Sequence, residues 1–221
     1  MISQTEENYL KAIYTLTSLK GEASVNDISK QLDIKMPTVN SMMKRLAEKK
    51  LVVYESYKPL KLTAAGKKQA ALIIRKHRLT EMYLVEKMGF GWENVHNIAE
   101  QIEHIQAPEF FEKMDELLGY PKVDPHGSPI PDTDGNIASD HYVKLSDCKP
   151  GDVVTFMAVQ PSSEELLKFL NSRALSLGLD IKIEQIETFD NSMRVSYTGK
   201  QNEMLSNQVC DKLLVSKKTK K

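Results

Sequence analysis

Histidine and glutamate recur together in one stretch of the 221-residue chain. His77 and Glu81 are four residues apart, so on a helix both project from one face. His96, Glu100, Glu103 and His104 follow at offsets 0, 4, 7 and 8, which a continuous helix would also place on one face. Imidazole nitrogen beside carboxylate oxygen is a donor set for a divalent ion such as Mn(II), Fe(II), Co(II), Ni(II) or Zn(II). One His/Glu pair at this spacing is more simply an exposed acidic face with an incidental histidine. Two sets on neighbouring helices are harder to dismiss. Ile98, Ile102 and Ile105 interleave with the second set and turn that helix partly towards a core. Carboxylates clustered near buried surface need a cation.

The same residues do not spell an enzyme. A di-iron carboxylate site needs Glu-x-x-His on each of two helices, and here Glu100 is followed by Glu103, with His104 one position late. The zinc-protease patterns His-Glu-x-x-His and His-x-x-Glu-His are missing, as are a glycine-rich phosphate loop and a Gly-x-Ser-x-Gly elbow. The chemistry expected is binding without catalysis.

Helices must position these donors. Tyr9, Leu10, Ile13, Leu16 and Leu19 recur at helical spacing over residues 4–19, with Thr5 as the expected cap, Glu6 and Glu7 in the first turn and Gly21 as the stop. Residues 25–33 form a short helix with Ile28 and Leu32 inward. Pro37 opens a third, 37–49, whose apolar side is Val39, Met42, Met43 and Leu46. Two strand-like runs, 52–54 and 60–63, flank the turn at Lys58-Pro59. Helix, short helix, turn, helix and hairpin is the order of a winged helix-turn-helix. Helical patterns then cover Thr63 to Gly89, 93–105 and 108–118. Residues 121–136, with four prolines and two glycines, read as a linker. From about 142 apolar alternation marks short strands around one helix at 162–177, a small β-rich module.

The formal net charge is zero, but it is unevenly spread. Residues 1–76 carry 14 Lys/Arg against 7 Asp/Glu, residues 77–143 carry 4 against 13, and residues 144–221 carry 12 against 10. A basic module fits a polyanion and an acidic one fits cations. A reading helix must bring small polar groups to the major groove by its N-terminal end. Lys35, Thr38, Asn40, Ser41, Lys44 and Arg45 lie off the apolar stripe of the third helix and meet this demand. Thr38 and Ser41 can bond bases or phosphates, Asn40 can pair with adenine, and Lys35, Lys44 and Arg45 suit phosphates, with Lys58 and Lys61 on the wing. The plainer reading is an amphipathic surface helix; the basic balance favours DNA. Cys148 and Cys210 are too few for a disulfide scaffold and fit buried thiols in a reducing cytoplasm. No run of about 18 apolar residues predicts a membrane span, and the N-terminus lacks a signal pattern.

The ordered segments TEENYLKAIYTL, PTVNSMMKRL, KLTAAGKK, RKHRLTEMYL, VHNIAEQIEHI and HGSPIP resemble the diphtheria toxin repressor family of metal-dependent transcriptional regulators, including its manganese transport regulator branch. The likeness runs through nearly the whole chain and is weakest in the β-rich part. It implies a fold that is mainly α: a winged helix-turn-helix DNA-binding domain over 1–64, an all-α dimerisation and metal-binding domain over 65–141, and an SH3-like domain over 142–221. It implies an ancillary metal site of His77, Glu81 and His96 and a primary site of Glu100, Glu103 and His104 completed by Asn8. His77 would join Glu100 and Glu103 in the paired, manganese-type arrangement, and Glu164 or Glu165 would add a ligand from the SH3-like domain. Lys35, Pro37, Thr38, Asn40 and Ser41 match the family's DNA-recognition surface.

Two positions depart from the family. Asn8 stands where it has Met or Asp, and Lys11 where the manganese branch has Glu, which puts a two-metal arrangement in question. Glu100 replaces the Cys of iron-type members, and hard oxygen for soft sulfur favours Mn(II) over Fe(II), with other divalent transition metals able to substitute. The expected function is a dimeric, Mn(II)- or Fe(II)-dependent repressor of metal-uptake genes. Its dimer contact is expected from Ile73, Ile74, Leu84, Val85, Phe110, Phe111, Leu117 and Leu118. The alternative is a winged-helix regulator that senses a small organic ligand and carries a structural metal.

Overall fold

A computed structural model describes residues 2–56, 58–138 and 141–217. It resolves two compact units, Met1–Thr80 with Ala99–Tyr120 and Ile130–Ala138, and Glu81–Ile98 with Pro121–Pro129 and Ser139–Lys221.

The first unit begins with α1 (Gln4–Lys20), α2 (Val25–Leu32) and α3 (Met36–Glu48), followed by the hairpin β1 (Val52–Val53) and β2 (Lys61–Leu62). The cap of α1 is Ser3, not Thr5: its hydroxyl accepts from the Glu6 amide, and the Glu6 carboxylate accepts from the Ser3 amide. The same reciprocal box, between Ser24 and Asp27, opens α2. Tyr9, Leu10, Ile13, Ile28, Val39, Met43 and Leu46 close one apolar core. Leu19, expected inward, is half exposed. The wing pairs Val52 with Leu62 and Val53 with Lys61, antiparallel.

Thr63 then caps α4 (Ala64–Glu86), its hydroxyl oxygen accepting from the Gly66 amide at 3.0 Å. A Cβ on Gly66 would lie 2.0 Å from the Leu51 carbonyl oxygen, so the wing seats against α4 only because this residue is glycine. The helix expected over 93–105 is shorter: α5 covers His96–Ile102, and Glu103 and His104 sit on the turn after it. Its buried residue is Ala99, flanked by buried Val95 and Glu103, while Ile98 and Ile102 are half-buried and Ile105 is exposed. The last helix of this part is α6 (Pro108–Leu117). Of the residues expected at a dimer contact, Ile73, Ile74, Leu84 and Phe111 are buried within the chain, whereas Phe110 and Leu117 are exposed.

The second unit holds a six-stranded antiparallel sheet in the order β3-β8-β4-β5-β6-β7. The strands are β3 (Val143–Lys144), β4 (Val153–Val159), β5 (Asp180–Ile186), β6 (Met193–Tyr197), β7 (Lys200–Leu205) and β8 (Leu213–Lys217). Helices α7 (Glu164–Ser172) and α8 (Asn207–Cys210) complete it. Alternation works as expected on β4, where Val154, Phe156 and Ala158 point inward. The strands β7 and β8 and the helix α8 lie beyond the sequence-derived pattern; β7 is mostly polar outward and gives no alternation signal. Both cysteines are buried thiols, and burial pushes Cys210 up to about 12.

Candidate metal centre and DNA-reading face

Among the described residues, each unit by itself assembles a carboxylate–imidazole cluster. In the first unit His77, on α4, directs Nδ1 to Glu103 Oε2 at 2.6 Å, with Glu100 Oε1 at 3.9 Å. Ligand atoms of these three residues all lie within 4.8 Å of one another. The other side of Glu103 faces His104, whose Nε2 is 3.6 Å from Glu103 Oε1. His104 Nδ1 meets Glu7 Oε2 at 2.6 Å, and Glu7 also accepts from Gln106 Nε2 at 3.0 Å. A carboxylate only accepts, so Nδ1 carries the hydrogen, and in the neutral ring the Nε2 lone pair is turned towards Glu103. A carboxylate behind an imidazole fixes the tautomer of a metal-ligating histidine in this way.

Helix α1 supplies three residues here. Glu7 is buried and holds His104. Lys11 donates to Glu103 at 2.7 and 2.9 Å and to Glu100. Asn8, one turn before Lys11 on the same face, has a buried Oδ1 with no hydrogen-bond partner. An orphaned buried amide oxygen is a neutral donor still open to a partner. Glu103 is fully buried; desolvation works to raise its carboxyl, but His77 and Lys11 outweigh it and hold the group below the usual range.

The second cluster is Glu81, Asp124 and His126, all buried, again with ligand atoms within 4.8 Å. His126 Nε2 lies 2.9 Å from the Trp92 carbonyl, an acceptor, so this nitrogen carries the hydrogen. Nδ1 then faces Glu81 at 3.7 Å and Asp124 at 3.9 Å. Burial opposes charging this ring, yet the two carboxylates raise its pKa. His96 reaches Glu81 at 3.4 Å and is largely exposed. Glu164 and Glu165 begin α7 and line a cleft of about 290 Å³ with His96 and His126.

Sequence spacing singled out His77, Glu81, His96, Glu100, Glu103 and His104. It did not single out Asp124 and His126, which lie in the proline-rich linker, where no helical period marks them. A backbone turn brings them in: Asp124 Oδ1 accepts from the amides of His126 and Ser128 at 2.8 and 2.9 Å. At Gly127 a Cβ would fall 2.1 Å from the Met157 carbonyl oxygen, so only glycine permits this approach.

The reading face lies on α3. Lys35, Pro37, Thr38, Ser41, Lys44 and Arg45 are exposed, and Asn40 is half-buried. Three have intramolecular partners that spacing could not show. The Asn40 carbonyl accepts from the Tyr54 hydroxyl of the wing at 2.9 Å, which fixes the amide's orientation. The Ser41 hydroxyl donates back to the Pro37 carbonyl at 3.0 Å. Arg45 Nε lies 2.9 Å from buried Glu6, which Lys49 also pairs at 2.7 Å.

A winged three-helix module followed by helices that carry buried imidazole and carboxylate donors defines a class: winged-helix DNA-binding proteins with a transition-metal centre. Residues 1–60 match the model of the iron-dependent repressor N-terminal DNA-binding domain, and residues 63–132 match the iron-dependent repressor metal-binding and dimerisation domain. The chain belongs to the iron-dependent repressor family. It is 35% identical over 130 residues to the diphtheria toxin repressor of Corynebacterium jeikeium (strain K411), covering 59% of this chain and 54% of that protein. It is 30% identical over 163 residues to the iron-dependent repressor IdeR of Mycobacterium leprae (strain TN), covering 71% of each. The chain therefore spans about half the length of the first relative and 71% of the second. A solved manganese-dependent transcriptional repressor in complex with manganese is 26% identical and superposes with a TM-score of 0.87 over 96% of this chain and 99% of that one, its C-terminal β-rich part included. Among the described residues no helix is long and apolar enough to cross a membrane.

Proposed function

We propose that this chain is a cytoplasmic, dimeric repressor, not an enzyme, that grips operator DNA when a divalent ion, Mn(II) before Fe(II), joins α1 to the α5 turn. One observation carries this reading: residues of α1, in the DNA-reading module, converge with His77, Glu100, Glu103 and His104 on a single buried cluster. The three domains are taken as 1–64, 65–141 and 142–221.

When bound, the ion supplies positive charge between carboxylates that burial would otherwise disfavour. The ligands proposed for it are Asn8, Glu103 and His104, with Glu100 beside them. Glu7 holds His104 in the tautomer that presents Nε2. Every donor is oxygen or nitrogen, and no thiolate lies in the set, which favours Mn(II) over softer preferences. Glu81, Asp124 and His126, with His96, form the second centre, and Glu164 or Glu165 is the carboxylate by which α7 would join it. His77 stands one helical turn from Glu81.

Fixing α1 against the α5 turn fixes the presentation of α3, which packs on α1 in one core. In a dimer two such helices must fit successive major grooves about 34 Å apart. The exposed apolar residues Ile105, Phe110, Leu117 and Tyr120 offer surface for that dimer. The family reading adds metal-uptake genes as the targets. The test is titration of Mn(II) into the chain with a labelled duplex selected from randomised DNA. Saturable, chelator-reversible binding is expected; metal-independent binding refutes the reading.

A further inference from the structure

We propose that Glu6 is a positioning residue of the DNA-reading face: its buried carboxylate sets the Arg45 guanidinium with both Nη groups outward, ready to take one backbone phosphate of the duplex at two points. The inference rests on the reading of α3 as that face.

Glu6 is fully buried, and the start of α1 accounts for only one of its oxygens. Oε2 accepts from the Ser3 amide at 2.8 Å and closes the capping box. Oε1 instead makes two ion pairs, with Arg45 Nε at 2.9 Å and with Lys49 Nζ at 2.7 Å. These are charge contacts, not aligned hydrogen bonds. Lys49, the C-cap of α3, also donates to Oε2 at 2.9 Å. A carboxylate taken fully out of water is kept only where it is paired. Here the pairing reaches across to the helix that carries the reading face.

Arg45 is the open partner, its side chain 57% exposed. Glu6 sits against the Nε side of the guanidinium, and among the described residues the Nη groups make no hydrogen bond within the chain. That planar end is the part of arginine that meets phosphate at two points, and a carboxylate behind it limits its swing. Thr38, Ser41 and Arg45 stand at offsets 0, 3 and 7, so they share one face of α3. Charge fits as well. Two cations on one carboxylate leave a formal charge of +1, so a phosphate is still attracted. A lysine at position 45 could meet Glu6 or a phosphate, but a point charge holds no direction. Backbone contacts fix the register of a protein on the duplex and carry no sequence themselves. A misdirected Arg45 should therefore harm the registered, specific complex more than the non-specific one.

Fluorescence anisotropy of the full-length chain in saturating Mn(II) tests this, read as the ratio of affinities for a duplex selected from randomised DNA and for a scrambled one. Glu6→Gln removes the charge but can still close the capping box. It is expected to lower that ratio by about 2-fold or more, the least that residues coupled in one network show, with Mn(II) affinity as in the wild type. In an Arg45→Ala background the same change is expected to lower the ratio no further. An equal fall in both backgrounds overturns the inference, as does a wild-type ratio in Glu6→Gln or a fall that comes with weakened Mn(II) binding. Arg45→Lys, a change at an exposed position, should lower the ratio as Arg45→Ala does. A wild-type ratio in Arg45→Lys overturns the inference with no buried residue touched. A wild-type chain with no preference between the two duplexes would instead remove the reading of α3, and this inference with it.

Discussion

Histidine 104 is where the residues of the first cluster divide their work. Its Nε2 faces Glu103 while Nδ1 is tied to Glu7, so in the proposed centre one residue would touch the ion and another would aim it. His104→Ala should abolish metal-dependent DNA binding while gel filtration still shows a folded protein of wild-type size. Glu7→Gln keeps the shape but can offer Nδ1 an amide in place of a carboxylate. Loss of such an outer-shell partner costs roughly 10–100-fold in metal affinity. Competition of Mn(II) against a fluorescent chelator reads that number directly, and an unchanged affinity would mean that Glu7 only packs. Glu7 was hidden in the sequence because two acidic residues at a helix start are already accounted for by the helix dipole. Its burial and its reach to His104 are facts of packing. The same holds for Asp124 and His126, which no period connects to Glu81.

At the scale of elements, period and punctuation carried most of the fold. Apolar spacing located α1 to α4 and α6, and alternation located β4 to β6. The extent of α5 was misjudged because Glu103 and His104 continue the helical spacing while the backbone leaves the helix at Ile102. The donors still converge, since a turn after the helix keeps them near His77. Gly66 shows how tightly the wing meets α4. Gly66→Ala must move the Leu51 carbonyl, an overpacking that costs about 1–3 kcal/mol or more, visible as a lower melting temperature. Asp27 closes the capping box of α2, and its hydrogen bonds from Ser24 and Lys20 hold its carboxyl down at about 2 against an ordinary 3.8. Because the folded value lies below the unfolded one, this contribution is complete above 3.8 and is lost as pH falls towards 2. Asp27→Asn should therefore melt earlier than wild type at neutral pH, with the gap closing as pH falls through that window.

The whole molecule separates charge along the chain, with a net +7 over residues 1–76 and −9 over residues 77–143, from 14 basic against 7 acidic and 4 against 13. The basic end carries α3, and much of its DNA affinity should come from released counterions. Lys44→Ala should weaken binding to all duplexes about equally and flatten the slope of log affinity against log salt by about 1. The acidic segment carries all the proposed donors but Asn8, so the cation and the polyanion are met largely by different stretches of one sequence. If an ion ties those stretches together, metal affinity and DNA affinity must strengthen each other by the same factor. That reciprocity is tested most directly by fluorescence anisotropy of a selected operator duplex, titrated with the full-length chain in excess Mn(II) and again after thorough chelation. The account predicts that chelation weakens binding by roughly 5–150-fold and that Mn(II) restores it; equal affinity in the two conditions would contradict it.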